Sequence, residues 1–239
     1  MVLVREKEND GEDSLLKVVD IQKLPVNFHR AVCIHSSLQF IDLLMQSLMF
    51  THGFSSTPVI ASNANQRFSR TLDAFEKIRT ELCAVFRSKH RKSLSEVAIL
   101  IGTSPMRPSY TYQVPIEVCD ADDSTDESCG ETCASLNDNE RRKINRDLFM
   151  LRQNSDSKVD EKLLRAKNNR MFIFVKGNDG MVSEFIEEED PNFCSKALTQ
   201  SKYTFTHHRC TCQGGINRLS SNSSGKWLRI VPFVVHPRD

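Results

Sequence analysis

Apolar residues recur at helical spacing in three stretches of the chain and at strand spacing in several others. In the first, Leu38, Ile41, Leu44, Met45, Leu48 and Met49 return every three to four positions. Ser36 and Gln39 fit a capping box at its start, and Gly53 supplies the stop. This helix is apolar over more than half its circumference, which predicts a central helix buried on most sides. The second stretch, Leu72, Phe75, Ile78, Leu82, Val85 and Phe86, predicts a helix over roughly 65–90. Arg87, Lys89, His90, Arg91 and Lys92 gather at its end, where cations complement the negative pole of the helix dipole. That ordinary cause outweighs a nucleic-acid patch or localisation signal. The third helix starts near Asn137 or Asp138 and runs to about Gln153, with Ile144, Leu148 and Leu151 as its core stripe. A smaller helical stretch over Val159 to Lys167 continues it.

Strand signals fill the intervals. An early strand is expected near Pro25 to Cys33, and Glu96 to Gly102 reads as a short buried strand. Pro105 and Pro108 mark a turn, after which Tyr110, Tyr112, Val114 and Ile116 alternate. Met171 to Val175 and Val182 to Ile186 flank Gly177-Asn-Asp-Gly180, a hairpin signal. Lys202 to Cys212 and Lys226 to His236 are the last strands, joined by a Gly- and Ser-rich linker. Nothing alternates in the manner of a doubly wound fold. The class expected is α+β: a mainly antiparallel sheet with three helices on one face. Residues 1–24 read as a flexible tail and 25–239 as a single domain. Within it, 118–137 is an acidic, Ser- and Thr-rich loop expected to be disordered.

Composition narrows the function without naming it. A chain of 239 residues can build one large core. Its formal net charge of +1 supplies no global field toward nucleic acid or an acidic membrane. No apolar run reaches the roughly 20 residues that span a bilayer. The start, Met1 to Glu8, lacks the basic and apolar regions of a signal peptide, so the expectation is an intracellular protein. Its eight cysteines are then free thiols by default.

Three kinds of chemistry were weighed. No GxSxG elbow, HExxH helix or Gly-rich phosphate loop is present, so no enzyme is indicated. His208, Cys210 and Cys212 fall on one face of a strand beside His207, and Cys194, Cys129 or Cys133 would complete a tetrahedral zinc site. The spacing is not that of paired CxxC knuckles, and a Cys-rich, half-buried strand is the commoner explanation. The third helix offers an interaction surface instead. Arg141, Asn145, Phe149 and Arg152 form a stripe beside the core stripe. An aromatic flanked by arginines is a frequent interface anchor, although Phe149 widening the core is the plain alternative.

The order of these segments resembles the COMET family of HORMA-type adapters. The helix Leu38-Gln-Phe-Ile-Asp-Leu-Leu-Met45 is similar to that family's first helix. Val97-Ala-Ile-Leu-Ile-Gly-Thr-Ser-Pro105, followed by Tyr112-Gln-Val114, resembles its strand and turn. Leu148-Phe-Met150 resembles a triplet of its third helix. Lys202-Tyr-Thr-Phe-Thr206 with Cys210, and Trp227 with Pro232, Phe233 and Arg238, resemble its last strands. The matches run from about residue 33 to the end of the chain.

The resemblance implies a HORMA fold whose C-terminal segment wraps as a safety belt. It implies two partners, the closed form of the checkpoint HORMA protein Mad-two and a hexameric AAA+ ATPase that remodels it. No catalysis and no cofactor is implied. The expected location is nucleus and cytoplasm, with spindle or kinetochore association in mitosis. Mad-two contact would fall on Phe149, Asn145 and Arg152, with Phe50 and Thr51 at the end of the first helix. The ATPase contact would fall near Pro191 and Asn192, where this chain has Asn192 in place of an expected basic residue. Other HORMA types, from translesion synthesis, autophagy or meiosis, would instead trap a peptide under the belt. A zinc-binding interaction module is the remaining alternative.

Overall fold

The computed structural model describes residues 21–56, 70–118, 135–153, 168–177, 186–188, 199–208 and 225–235, leaving out the side chains of 151–153, 208 and 235. Ten elements follow in order: β1 (Ile21–Ala31), α1 (Ile34–Thr51), α2 (Arg70–Arg87), β2 (Glu96–Ser104), β3 (Arg107–Pro115), α3 (Asp138–Gln153), β4 (Arg170–Gly177), β5 (Ile186–Glu188), β6 (Thr199–His208) and β7 (Lys226–Val235). A single 3-10 turn, Arg91–Ser93, follows α2.

The class is α+β, but the sheet is mixed. Its seven strands lie in the order β1-β6-β3-β2-β4-β7-β5. β6 pairs in parallel with both β1 and β3, while the other four pairings are antiparallel. Parallel pairing of strands this far apart in sequence needs long crossovers. Residue periodicity records which face a strand buries and is silent about its neighbour, so the parallel insertion had no local signal. Residues 178–185 of the hairpin expected around Gly177–Gly180 lie outside the described residues. β4 and β5 do not pair; β7 lies between them, bonded to β4 from Arg170↔Val235 to Gly177↔Lys226 and to β5 from Ile186↔Ile230 to Glu188↔Leu228.

Several boundaries shift. β1 begins at Ile21, so residues 21–24 belong to the sheet and Leu24 is buried in the core. α1 is capped three residues early, at Cys33, whose backbone N–H donates to the Ser36 hydroxyl at 2.8 Å. Ser36 is therefore the third helical residue and not the cap, and Gln39 is free to accept the Leu136 N–H. Pro108 lies inside β3, opposite Gly102, where a register shift bends the β2–β3 pair. Ser135 to Asn137 are held against the body, since the Ser135 carbonyl accepts from Arg30 and Leu136 is buried. The remaining expectations for the 119–134 loop, the 159–167 helix, the linker after β6 and the N-terminal tail up to residue 20 lie outside the described residues.

All three helices cover one face of the sheet. Val97, Ile99 and Ile101 of β2 share a buried cluster with Phe40 and Leu44 of α1, Phe75 and Ile78 of α2, and Ile144 and Leu148 of α3. Ala98 and Leu100 point the other way, into a small second cluster with Phe172, Phe174 and Trp227. Strand side chains alternate faces, so β2 is buried on both. Asp42 of α1 receives a bidentate pair from Arg79 of α2, Nε to Oδ1 at 2.6 Å and Nη2 to Oδ2 at 3.0 Å. This fixes the two helices by a forked geometry that lysine cannot reproduce.

Gly102 is a steric requirement of the β2–β3 bend. A Cβ there would lie 2.6 Å from the Arg107 carbonyl oxygen and 2.8 Å from the Pro108 Cα, both backbone atoms. Gly102→Ala should cost about 1–3 kcal/mol in a urea or guanidinium titration, as overpacking against an unyielding neighbour does.

His35 supplies a pH dependence. Its burial, and then Arg91 and Arg87 nearby, hold the imidazole below its ordinary value of 6.5. The unfolded chain therefore takes up this proton first as pH falls. Its contribution to stability is complete above about pH 6.5 and is lost below it. The denaturation midpoint should fall more steeply between pH 7.5 and 5.5 in the wild type than in His35→Gln.

Candidate functional site

α3 is anchored at its start and exposes Phe149 and Met150 farther along. Asn137 and Glu140 form a reciprocal capping box: the Asn137 side-chain oxygen accepts from the Glu140 N–H at 3.0 Å, and the Glu140 carboxylate accepts from the Asn137 N–H at 2.8 Å. The same carboxylate receives Arg30 Nη1 of β1 at 3.2 Å. One turn later, Lys143 Nζ meets His29 Nε2 at 3.1 Å. Ile144 and Leu148 bury the inner stripe.

These contacts fix the direction of the helices. Phe40 of α1 stacks edge-on against Phe28 of β1, so α1 folds back along the strand that precedes it. α3 also runs against β1, since Glu140 meets Arg30 and the later Lys143 meets the earlier His29. α1 and α3 therefore run in the same direction and finish at the same end of the domain. β3 confirms which end of the sheet this is. His52, capping α1, shares a hydrogen bond with the Tyr112 hydroxyl at 3.0 Å, and its ring lies 4.9 Å from that of Tyr110, near the start of β3. Conversely, Ser37 at the beginning of α1 accepts the N–H of Glu117, just past the end of β3.

Among the described residues, the exposed large apolar side chains are Ile21 (54%), Phe149 (52%), Met106 (48%), Met150 (46%) and Phe50 (40%). Phe50, Phe149 and Met150 fall at that end, whereas the register sets Ile21 level with Thr111, midway along β3, on the strand face opposite to Leu24 and Phe28. Phe50 closes α1, while Phe149 and Met150 lie in the last part of α3. Met106 occupies the turn that leads into β3, and Ile21 opens β1, which runs parallel to β3 through their shared neighbour β6.

The sequence-predicted positions separate accordingly. Phe149 and Phe50 are exposed, and Asn145 is half-buried on α3. Thr51 is half-buried, with its hydroxyl donating to the Ser47 carbonyl at 2.7 Å, an intrahelical bond that leaves it a cap-like role. Arg152 is in α3, but its side chain is not described; Pro191 and Asn192 lie outside the described residues. Met150, Ile21 and Met106 were missed as surface residues. Met150 had a signal, since it falls off the Ile144–Leu148 stripe, whereas the other two are placed by sheet topology alone.

No group of three His, Cys, Asp or Glu side chains among the described residues is placed to hold a metal ion. His207 sits 3.6 Å from the Glu117 carboxylate, an ordinary ion-pair contact. Cys194, Cys210 and Cys212, along with Cys129 and Cys133, lie outside the described residues. Glu96 has its carboxyl raised by burial, opposed by Lys202 and Lys176, at the far end of the sheet from Met106. No described helix is long and apolar enough to cross a membrane.

Because Glu140 serves both the cap and the tie to β1, Glu140→Ala should loosen the start of α3 at a cost of about 1 kcal/mol. Hydrogen exchange over residues 138–145 should accelerate, with exchange in β2 unchanged.

No family model matches the chain, and no curated protein matches it.

Proposed function

We propose that this chain is a non-enzymatic adapter of the COMET type, a HORMA-like body that grips closed Mad-two and hands it to a hexameric AAA+ ATPase. The observation that carries the reading is Phe149, more than half exposed on a helix whose neighbouring stripe is sealed into the core. Leaving about half of such a side chain in water forgoes on the order of 1 kcal/mol of burial, which a docked partner would recover. The segment order and the Leu148-Phe-Met150 triplet supply the family. The mixed sheet with three helices is compatible with a HORMA body.

The pairing of β7 bears on the rival peptide-trapping reading. β7 is bonded on one side by β4 and on the other by β5, both from this chain. A belt strand already flanked on both edges fits a self-closed adapter better than a protein waiting to add a captured strand beside it. Nuclear and cytoplasmic residence, with spindle or kinetochore association in mitosis, follows from the same proposal. The ATPase contact near Pro191 and Asn192 rests on the resemblance.

Purified chain titrated with closed Mad-two tests this directly. Phe149→Ala should weaken binding by at least about 2 kcal/mol, roughly 30-fold, with the circular dichroism spectrum and melting temperature unchanged. A folded variant that binds as tightly as wild type removes α3 from the interface. Wild-type chain that ignores Mad-two but captures a short linear peptide moves the assignment to the peptide-trapping class.

A further inference from the structure

We infer that the basic run at the end of α2, together with His35 at the start of α1, is occupied by the chain's own acidic segment, residues 119–134. The contact lies at the pole opposite Phe149 and is independent of whatever docks there.

Charge is the first argument. The dipole of α2 explains a cation only within the last turn of that helix. α2 ends at Arg87, the basic residue of its last turn, so Lys89, Arg91 and Lys92 fall beyond it. They run through the 3-10 turn Arg91–Ser93 and stand beside the start of α1. A helix start is itself positive, and α1 has no acidic residue in its first turn. The charges that act on the His35 ring are those of Arg91 and Arg87, and both oppose its protonation. The carboxylates described at this pole face cations of their own: Glu140 meets Arg30, Glu117 meets His207, and Glu96 lies in the field of Lys202 and Lys176. Cations gathered at the positive end of a helix repel one another, and an anion placed among them relieves that cost.

Connectivity is the second. Ser95, two residues past the 3-10 turn, accepts the Ile116 N–H on its carbonyl at 2.9 Å. Glu117 then donates its N–H to the Ser37 hydroxyl of α1 at 3.2 Å, and the described chain stops after Val118. It resumes at Ser135, whose carbonyl accepts from Arg30, and at Leu136, whose N–H is accepted by Gln39, one turn beyond His35. Both ends of the segment are therefore fixed at the start of α1, beside the basic turn. Within it stand Asp120, Asp122, Asp123, Asp126, Glu127 and Glu131, with no Lys, Arg or His. Asp120 to Glu127 follow closely on Val118, within a reach of at most about 7–30 Å. A tether of that length corresponds to an effective concentration of about millimolar, so a weak ionic contact forms without a second molecule. A separate polyanion, or another copy of the chain, would have to displace that tethered charge.

The test couples carboxylates to amines in the full chain with a water-soluble carbodiimide, using a mixture of isotope-labelled and unlabelled protein. At about 50 mM salt, Lys89 and Lys92 should be linked to carboxylates of residues 120–131 within one chain. Lys77, equally exposed but midway along α2, should not be. Salt at about 500 mM, and separately Arg87→Gln with Arg91→Gln, should each lower those links about fivefold in a chain of unchanged melting temperature. Asp120→Asn, Asp122→Asn, Asp123→Asn, Asp126→Asn, Glu127→Gln and Glu131→Gln together should make His35 titrate at a lower pH than in wild type, by nuclear magnetic resonance at low salt. The difference should vanish at high salt. Links found only between labelled and unlabelled chains would assign the patch to a second copy and overturn the inference. Equal linkage of Lys77, links that ignore salt and the arginine changes, or a His35 titration that the neutralised segment leaves unmoved would overturn it as well.

Discussion

The arrangement depends on one aromatic cluster. Phe40, fully buried on α1, meets Phe28 of β1 at 6.2 Å, Tyr203 of β6 at 5.5 Å and Phe205 of β6 at 5.1 Å, all edge-on. Phe28 and Phe205 close the group at 5.2 Å. Edge-to-face pairs add about 0.5–1.5 kcal/mol beyond the area they bury, and the cluster draws on strands far apart in sequence. It joins the first strand, the central helix and a late strand in a single contact. Emptying a site of this kind costs about 3–5 kcal/mol, against a total stability for a domain of about 5–15 kcal/mol.

The functional surface inherits its place from that cluster. With α1 pressed back along β1, α3 settles beside it through polar ties concentrated at its start, where Glu140 and Lys143 meet Arg30 and His29 of β1 and Leu136 meets Gln39 of α1. The inner stripe is sealed by Ile144 and Leu148, and the later turns are left to present Phe149 and Met150. The two ends of the domain consequently differ in character. One holds ionic contacts, Arg30 with Glu140 and His207 with Glu117, together with the cationic surroundings of His35. The other presents Phe50 of α1 and Phe149 and Met150 of α3, with Arg146 exposed on the same helix. Exposed apolar side chains recover burial energy, and nearby charges set orientation, when a surface of this kind meets a partner.

The β7 position extends the same logic to the second half of the chain. Its Trp227 and Leu228 alternate between the two buried clusters, and strands of the same chain bond both of its edges. Inserting a strand there would require breaking one of those ladders. Closure is therefore built into hydrogen bonding that the domain satisfies internally.

Local pattern was enough for much of this. The 3.6-residue recurrence of Leu38 to Met49, of Phe75 to Phe86 and of Ile144 to Leu148 specified three helices and their buried sides, because helix geometry converts spacing into a face directly. The same spacing set Phe149 off the core stripe of α3. What the tertiary structure alone decided was adjacency. Insertion of β6 in parallel between β1 and β3, and of β7 antiparallel between β4 and β5, depends on contacts between segments distant in sequence, for which alternation along a strand holds no record. The exposed helical stripe at Phe149 could be read from residue order, whereas the level of Ile21 beside Thr111 was set by the parallel pairing alone, because alternation gives a strand's face and not its register against a distant partner.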